Sequence, residues 1–302
     1  MKNQNECNKG KLYICATPIG NLGDMTPRVI GALREADVIA AEDTRNTIRL
    51  LNHFDIKTPM TSYHEFNKYE KAEELVGQML AGRTVAIVTD AGTPCISDPG
   101  EVLVEKCAQA GIEMTSLPGA SAVITALTLS ALPTRRFVFE GFLPPVKSKK
   151  ERQEALSRLA QETRTIVLYE APHHLTATLR ALSELLGKTR RVSLCRELTK
   201  RYEEIERTTL GAALLQFENG IREPKGEYVL VIAGQSAEET EQELELAREA
   251  RFSGLSISEH VQSYLDQGMD KKEAMRAAAK DRGISKRDVY QALLMNGKET
   301  AG

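Results

Sequence analysis

The sequence predicts an α/β protein built from two successive α/β domains and a small all-helical appendage. Three observations carry that reading. Short aliphatic, β-branched runs alternate with helical-period segments over the first 230 or so residues, the pattern of strands crossed by helices. The alternation breaks once, at Leu132-Pro133-Thr134-Arg135-Arg136, and then restarts. After Gly234 only helical patterns remain.

Taken in order, Leu12–Ala16 reads as a strand, Pro27–Ala36 as a helix opened by its proline, and Val38–Ala40 as a second strand. Thr44–His53 and Lys68–Leu80 are helical, Val85–Thr89 a buried strand, and Gly100–Ala110 a helix. Glu113–Leu117 is a strand and Ser121–Ala131 an apolar helix. Beyond the break come strands at Phe137–Glu140, Thr165–Tyr169 and Arg191–Cys195, with helices at Lys149–Ala160 and Pro172–Leu186. Glu203–Thr208 has the composition of an edge strand, Leu210–Glu218 of a helix, and Glu227–Ala233 of a final buried strand. Ser236–Ala250 holds six glutamates against Arg248 alone, and Ser236 with Glu239 has capping-box spacing, so a solvated acidic helix is expected. Ser258–Gln267, Asp270–Asp281 and Ser285–Leu294 follow as short helices, with Gly268 and Gly283 where helix stops belong. The expected divisions are a disordered tail over 1–10, α/β domains over 11–133 and 134–235, and the acidic helix with a helix-turn-helix-like bundle over 236–302.

The 302 residues are 41% hydrophobic and 27% charged, an ordinary globular mixture that excludes a wholly disordered or fibrous chain. Lys and Arg number 40 against 42 Asp and Glu, so nucleic acid would have to be met by local basic patches. Two stand out. In Arg135–Arg152, six basic residues face Glu140 and Glu151; in Asp270–Asp288, seven face four acidic ones. A solvated face is the plainer account of either run. The five cysteines are scattered, with no CxxC and no zinc spacing, so neither a disulfide framework nor a metal site is indicated, and reduced cytoplasmic thiols are expected. No stretch reaches the roughly 20 apolar residues of a membrane helix.

Chemistry concentrates in loops after strands. Thr17-Pro18-Ile19-Gly20-Asn21-Leu22-Gly23 follows the first strand, but its GxxG spacing is no dinucleotide fingerprint. Thr89-Asp90-Ala91-Gly92-Thr93-Pro94-Cys95-Ile96-Ser97-Asp98-Pro99-Gly100 directly follows a buried strand, where open α/β sheets hold ligands. A long turn capped by Asp98 accounts for its end and leaves Asp90 through Ile96 unexplained. Leu117-Pro118-Gly119-Ala120-Ser121-Ala122 and Tyr169-Glu170-Ala171-Pro172 run small residues into helix starts. Glu42-Asp43-Thr44-Arg45 offers two carboxylates and a guanidinium, with helix capping an equally good account. His64, in Tyr63-His64-Glu65, could move a proton, although a lone histidine more often has no such role.

Seven segments in register, ATPIGNLGD, AEDTR, SYHE, TDAGTPCISDPG, LPGASA, YEAPHH and KGEYVLVIAG, resemble the tetrapyrrole-methylase superfamily. Within it they are similar to the ribosomal RNA small-subunit methyltransferase I branch, which methylates a cytidine ribose 2′-oxygen of 16S RNA using S-adenosylmethionine. The resemblance spans Leu12 to Ala233 and extends to that family's terminal helices. It implies two αβα domains with the cofactor in the cleft between them, in a cytoplasmic homodimer acting on ribosomal RNA or the small subunit. Carried over by motif, the cofactor would touch Pro18, Gly20, Ala91, Gly92, Thr93, Ile96, Ser121, Ala122, Tyr169, Glu170, Leu198 and Gly226. Thr93 stands where the porphyrinoid methylases carry an aspartate, and His174 where the ribosomal branch carries an arginine.

A ribose hydroxyl is a weak acid, so its methylation calls for a proton acceptor. Asp43, Glu42 and His64 are the candidates in that order, with Arg45 holding a neighbouring phosphate through its planar fork. Two other functions compete. A corrin or other tetrapyrrole methylase would need a wide apolar cleft and no basic helices. A non-catalytic ribosome- or RNA-binding factor that happens to bind the cofactor would lean on the basic patches.

Overall fold

A computed structural model describes residues 9–145, 147–236, 238–239, 241 and 254–299. The tail expected over 1–10 and the acidic helix expected over 236–250 fall largely outside the described residues. Residues Met1–Gly234 form one compact unit and Gln235–Gly302 a second.

The first sheet holds β1 (Lys11–Cys15), β2 (Val38–Ala41), β3 (Met60–Ser62), β4 (Val85–Val88) and β5 (Glu113–Leu117), in the order β3-β2-β4-β1-β5. Every pairing is parallel. Because side chains alternate across a strand, Val85 and Ile87 of β4 join one core while Ala86 and Val88 join the other. On one face Val29 and Leu33 of α1 (Pro27–Glu35) and Leu51 of α2 (Thr44–His53) cover the sheet. On the other, Leu75 and Met79 of α3 (Lys68–Leu80) and Leu103 and Cys107 of α4 (Gly100–Gln109) do so. Burial on both faces explains why β2 and β4 read as unbroken apolar runs. The three-residue edge strand β3 carries no such run, and sequence periodicity missed it.

Parallel strands bring all five carboxyl ends to one edge. The chain leaves β1 toward β2 and β4 toward β5, in opposite directions across the sheet, and a crevice opens between such strands.

The second sheet is mixed: β6 (Phe137–Phe142), β7 (Thr165–Glu170), β8 (Arg191–Arg196), β9 (Glu204–Thr209) and β10 (Tyr228–Ile232), ordered β6-β7-β10-β8-β9. Only β6 and β7 pair in parallel; β10 lies antiparallel to both neighbours, and β8 is antiparallel to β9. Central β10 is buried throughout, and the polar β9 is the edge expected of it. One face packs on α6 (Lys149–Ala160), α7 (Pro172–Leu186) and α8 (Leu210–Glu218). The other receives α5 (Ala122–Leu129), whose Val123, Ala126 and Leu127 meet Val167, Cys195, Val229 and Val231. The last helix of the first half is thus the third layer of the second, which sews the two sheets together around one cleft.

In the second unit, α9 (Ile257–Asp266), α10 (Lys271–Asp281) and α11 (Lys286–Glu299) enclose a core of Val261, Ala274, Met275, Ala278, Ala279 and Val289. Ser256 and Glu259 form a capping box at α9, and Asp270 caps α10. Lys271, Lys272, Arg276, Lys280, Lys286 and Arg287 are all exposed. Among the described residues no helix is long and apolar enough to cross a membrane. Arg152 leaves the first basic patch: it is 8% exposed, bonded to the Pro144 carbonyl and the Thr178 hydroxyl, and cannot meet phosphate.

Candidate active site

Three loops of the first sheet are laced together at its carboxyl edge. Thr17 and Gly92 exchange backbone hydrogen bonds of 2.8 and 3.0 Å, joining the loops after β1 and β4. The Thr93 hydroxyl donates to the Ala120 carbonyl at 3.1 Å, adding the loop after β5. Gly92 sits at φ +85°, a left-handed conformation that glycine alone adopts without strain, and an added Cβ would lie 3.3 Å from Ile19 Cγ2. Cys95 and Ser97 hold φ of +68° and +59° without being glycine. Such strained backbone clusters at ligand sites and persists only where its surroundings over-determine it. Asp98 ends the loop by accepting the Gly100 amide at 2.7 Å.

The second sheet offers the carboxyl ends of β7 and β8 and the start of β10, aligned because Tyr228 pairs with both Glu170 and Arg196. Glu170 is 5% exposed; its carboxylate accepts the Ala171 amide and the Thr178 hydroxyl, which in turn accepts from Arg152. Glu197 accepts the Glu227 amide at 2.8 Å and Lys200 Nζ at 3.1 Å. Burial disfavours its charge, but these two donors outweigh burial and hold the carboxyl below its ordinary range. Burial likewise disfavours the Lys200 ammonium, and Glu227 and Glu197 more than compensate.

Between the edges lies a cavity of about 450 Å³, within the range of small-molecule sites. Of the residues that the motifs nominated for a cofactor, Ala91, Gly92, Thr93, Ile96, Ser121, Ala122, Tyr169, Glu170 and Leu198 line it. Pro18, Gly20 and Gly226 do not. Gly20 instead lets the first loop pass the second sheet, since a Cβ there would come 2.3 Å from Lys200 Cγ. Gly226, at φ +78°, makes room for Glu197, whose Cγ would lie 2.6 Å from an added Cβ. Sequence reasoning missed Phe142, Glu197, Lys200 and Glu227, which also line the cavity. Glu197 and Lys200 had a usable signal, because they directly follow a predicted strand.

The proton-acceptor candidates separate. Glu42 lines the cavity and accepts the Thr89 hydroxyl at 2.8 Å. Its charge reaches Asp90 and Asp98, whose carboxyls are raised first by burial and then, in part, by Glu42. Asp43, ranked first on sequence, is outside the lining. It caps α2 through the Arg45 amide and pairs with the Arg45 guanidinium at 2.8 Å. Arg45 pulls the Asp43 carboxyl down to about 2, which makes it a feeble base. Arg45 is therefore spent on Asp43, although its side chain is 87% exposed. His64 is also outside the lining; its backbone amide donates to Asn67 Oδ1. Cys95 is no nucleophile, since burial and Asp98 raise its thiol to about 12.

A cleft closed by strand-end loops of two sheets, with a glycine cradle and carboxylates from both sides, is the architecture of a small-molecule site. The model of the Tetrapyrrole (Corrin/Porphyrin) Methylases matches residues 11–214, and the chain belongs to that family of methyltransferases. It is 47% identical over 285 residues to Ribosomal RNA small subunit methyltransferase I of Synechocystis sp., covering 94% of this chain and 98% of that one. The protein of the same name from Halalkalibacterium halodurans is 47% identical over 289 residues, 95% of this chain and 96% of that one. Among solved structures, the uroporphyrin-III C-methyltransferase of Thermus thermophilus, complexed with S-adenosylhomocysteine, superposes with a TM-score of 0.51. That match covers 74% of this chain and 97% of that chain at 17% identity, a likeness of fold.

Proposed function

We propose that this chain methylates the 2′-oxygen of a cytidine ribose in small-subunit (16S) ribosomal RNA, using S-adenosylmethionine. The observation that carries the reading is 47% identity, over nearly the whole of both chains, to proteins named for methylating that RNA. The cavity fits the cofactor. It has the volume, a backbone cradle at Gly92 that a side chain would fill, and polar groups from both sheets.

When bound, S-adenosylmethionine would supply an electrophilic methyl group, with S-adenosylhomocysteine as the leaving group. Ala91, Gly92, Thr93 and Ile96 would hold it from the first sheet, and Tyr169, Glu170 and Leu198 from the second. Holding the reacting groups near attack distance supplies much of the acceleration in such transfers. The Arg152–Thr178 pair keeps the Glu170 carboxylate in one orientation. Glu42, at the cavity wall with one oxygen engaged by Thr89, is the group this geometry favours to take the ribose proton. Asp43 and Arg45 then serve as a helix cap and its clamp.

The homodimer and the cytoplasmic setting expected from the resemblance complete the reading; light scattering on the purified protein checks the first. The function is tested by incubating the protein with labelled S-adenosylmethionine and either small subunits or free 16S RNA, then mapping ribose methylation. Label in a cytidine 2′-oxygen is the expected result. Label in a tetrapyrrole, with none in RNA, would overturn it.

A further inference from the structure

We propose that Phe142 is the platform on which the base of the target nucleotide stacks at the mouth of the cavity. The proposal rests on the RNA-methylating function above and names the group that receives the base.

Phe142 is 63% exposed, yet it lines the cavity. Large apolar side chains held in water at a site's rim lose the stabilisation of burial until a ligand covers them. The backbone is shaped to hold Phe142 there. Strand β6 pairs in register with β7 through Phe139, then skips Glu140, so Gly141 faces Leu168 and Phe142 faces Tyr169. A strand alternates faces with period two; without the bulge, Phe142 would share the face of Val138, which packs on the opposite core. The extra residue returns Phe142 to the face of Phe139, and both rings contact Tyr169, with centroids 5.5 and 4.9 Å away. Gly141 adopts φ +63° to make the turn, and an added Cβ would lie 2.9 Å from Ser97 Oγ. The bulge therefore runs close against the strained loop at Ser97.

The occupant follows from size and charge. RNA cannot enter a cavity of about 450 Å³, so a single nucleotide must leave its stack and present itself at the rim. The lining carries Glu42, Asp98, Glu170, Glu197 and Glu227 against Lys200, itself paired with Glu197 and Glu227, so it repels phosphate and leaves the neutral base and ribose as the parts admitted. Exposed aromatic faces suit bases, and stacking tolerates any base, so Phe142 positions the nucleotide while other groups select it.

The test uses the full-length protein, calorimetry with S-adenosylmethionine, and methylation of small subunits under kcat and KM conditions. Phe142→Ala is expected to reduce kcat/KM for the subunit about 5- to 150-fold, the usual span for loss of one stacked base, and to change cofactor affinity far less, only through the Tyr169 ring it touches. Phe142→Tyr should restore most of the loss, which a purely structural role of β6 would not predict. An equal fall in cofactor affinity would make Phe142 a cofactor contact and overturn the platform. So would unchanged kcat/KM. A wild-type protein inactive on every RNA would remove the function itself, and the platform with it; the wild-type control separates that result from the other two.

Discussion

Replacing Glu42 by Gln tests the chemistry most directly. The amide keeps an oxygen for the 2.8 Å bond from the Thr89 hydroxyl, so the side chain should stay in place. Glu42 has no ion-pair partner among the described residues, and its charge helps to raise the carboxyls of Asp90 and Asp98. Removing that charge should therefore leave folding stability unchanged or slightly improved. The rate is another matter. A positioned proton acceptor contributes typically about 10²–10⁴-fold, equivalent to roughly 3–5 kcal/mol of barrier. Single-turnover methyl transfer from labelled S-adenosylmethionine to small subunits should fall by that factor, with calorimetric cofactor affinity and melting temperature held. Asp43→Asn, which can still cap α2, should lose far less. Near-normal turnover of Glu42→Gln, together with collapse of Asp43→Asn or His64→Ala, would refute the reasoning and move the role to that neighbour.

Gly92→Val should abolish cofactor binding. A β-branched residue at φ +85° is strained beyond the about 1–2 kcal/mol of an ordinary residue, and its side chain fills the cradle beside Ile19; unchanged affinity in calorimetry would sink the assignment. Asp98→Asn retains an acceptor for the Gly100 amide and removes a charge that the fold disfavours. Because the Asp98 carboxyl is raised in the folded protein, its contribution is greatest below the ordinary value of 3.8 and declines as pH rises through the folded value. The variant should accordingly melt at or above the wild-type temperature at pH 7, with the advantage gone at pH 3.5; the reverse order would contradict it. Deleting residues 256–302 should weaken subunit binding while sparing cofactor affinity, and should flatten the salt dependence by roughly 0.7–0.9 for each phosphate lost. An unchanged salt slope would show that the exposed lysines and arginines of the appendage do not touch RNA.

Much of this protein was legible along the chain because the relevant signals are local. The unbroken apolar run of β4, the proline that opens α1, and the glycines after α9 and α10 each act within a few residues, and the elements fall where those cues put them. The ligand-bearing loops were legible for the same reason: a buried strand followed by Ala91-Gly92-Thr93 marks a place where backbone can approach a ligand. What lay beyond reach depends on contacts between distant segments. Strand β3 is three residues, none of them buried, made a strand by pairing with β2. The antiparallel course of β10 and the use of α5 as a layer of the second sheet arise from packing that no local period encodes. The same holds at the site. Glu42 and Asp43 are neighbours with the same charge, and spacing could not rank them. The turn into α2 gives Asp43 to the Arg45 guanidinium, while its neighbour lines the cavity beside Thr89. Phe142 faces the cavity because one extra residue in β6, tolerated only through Gly141, shifts a period-two register that the local sequence leaves open.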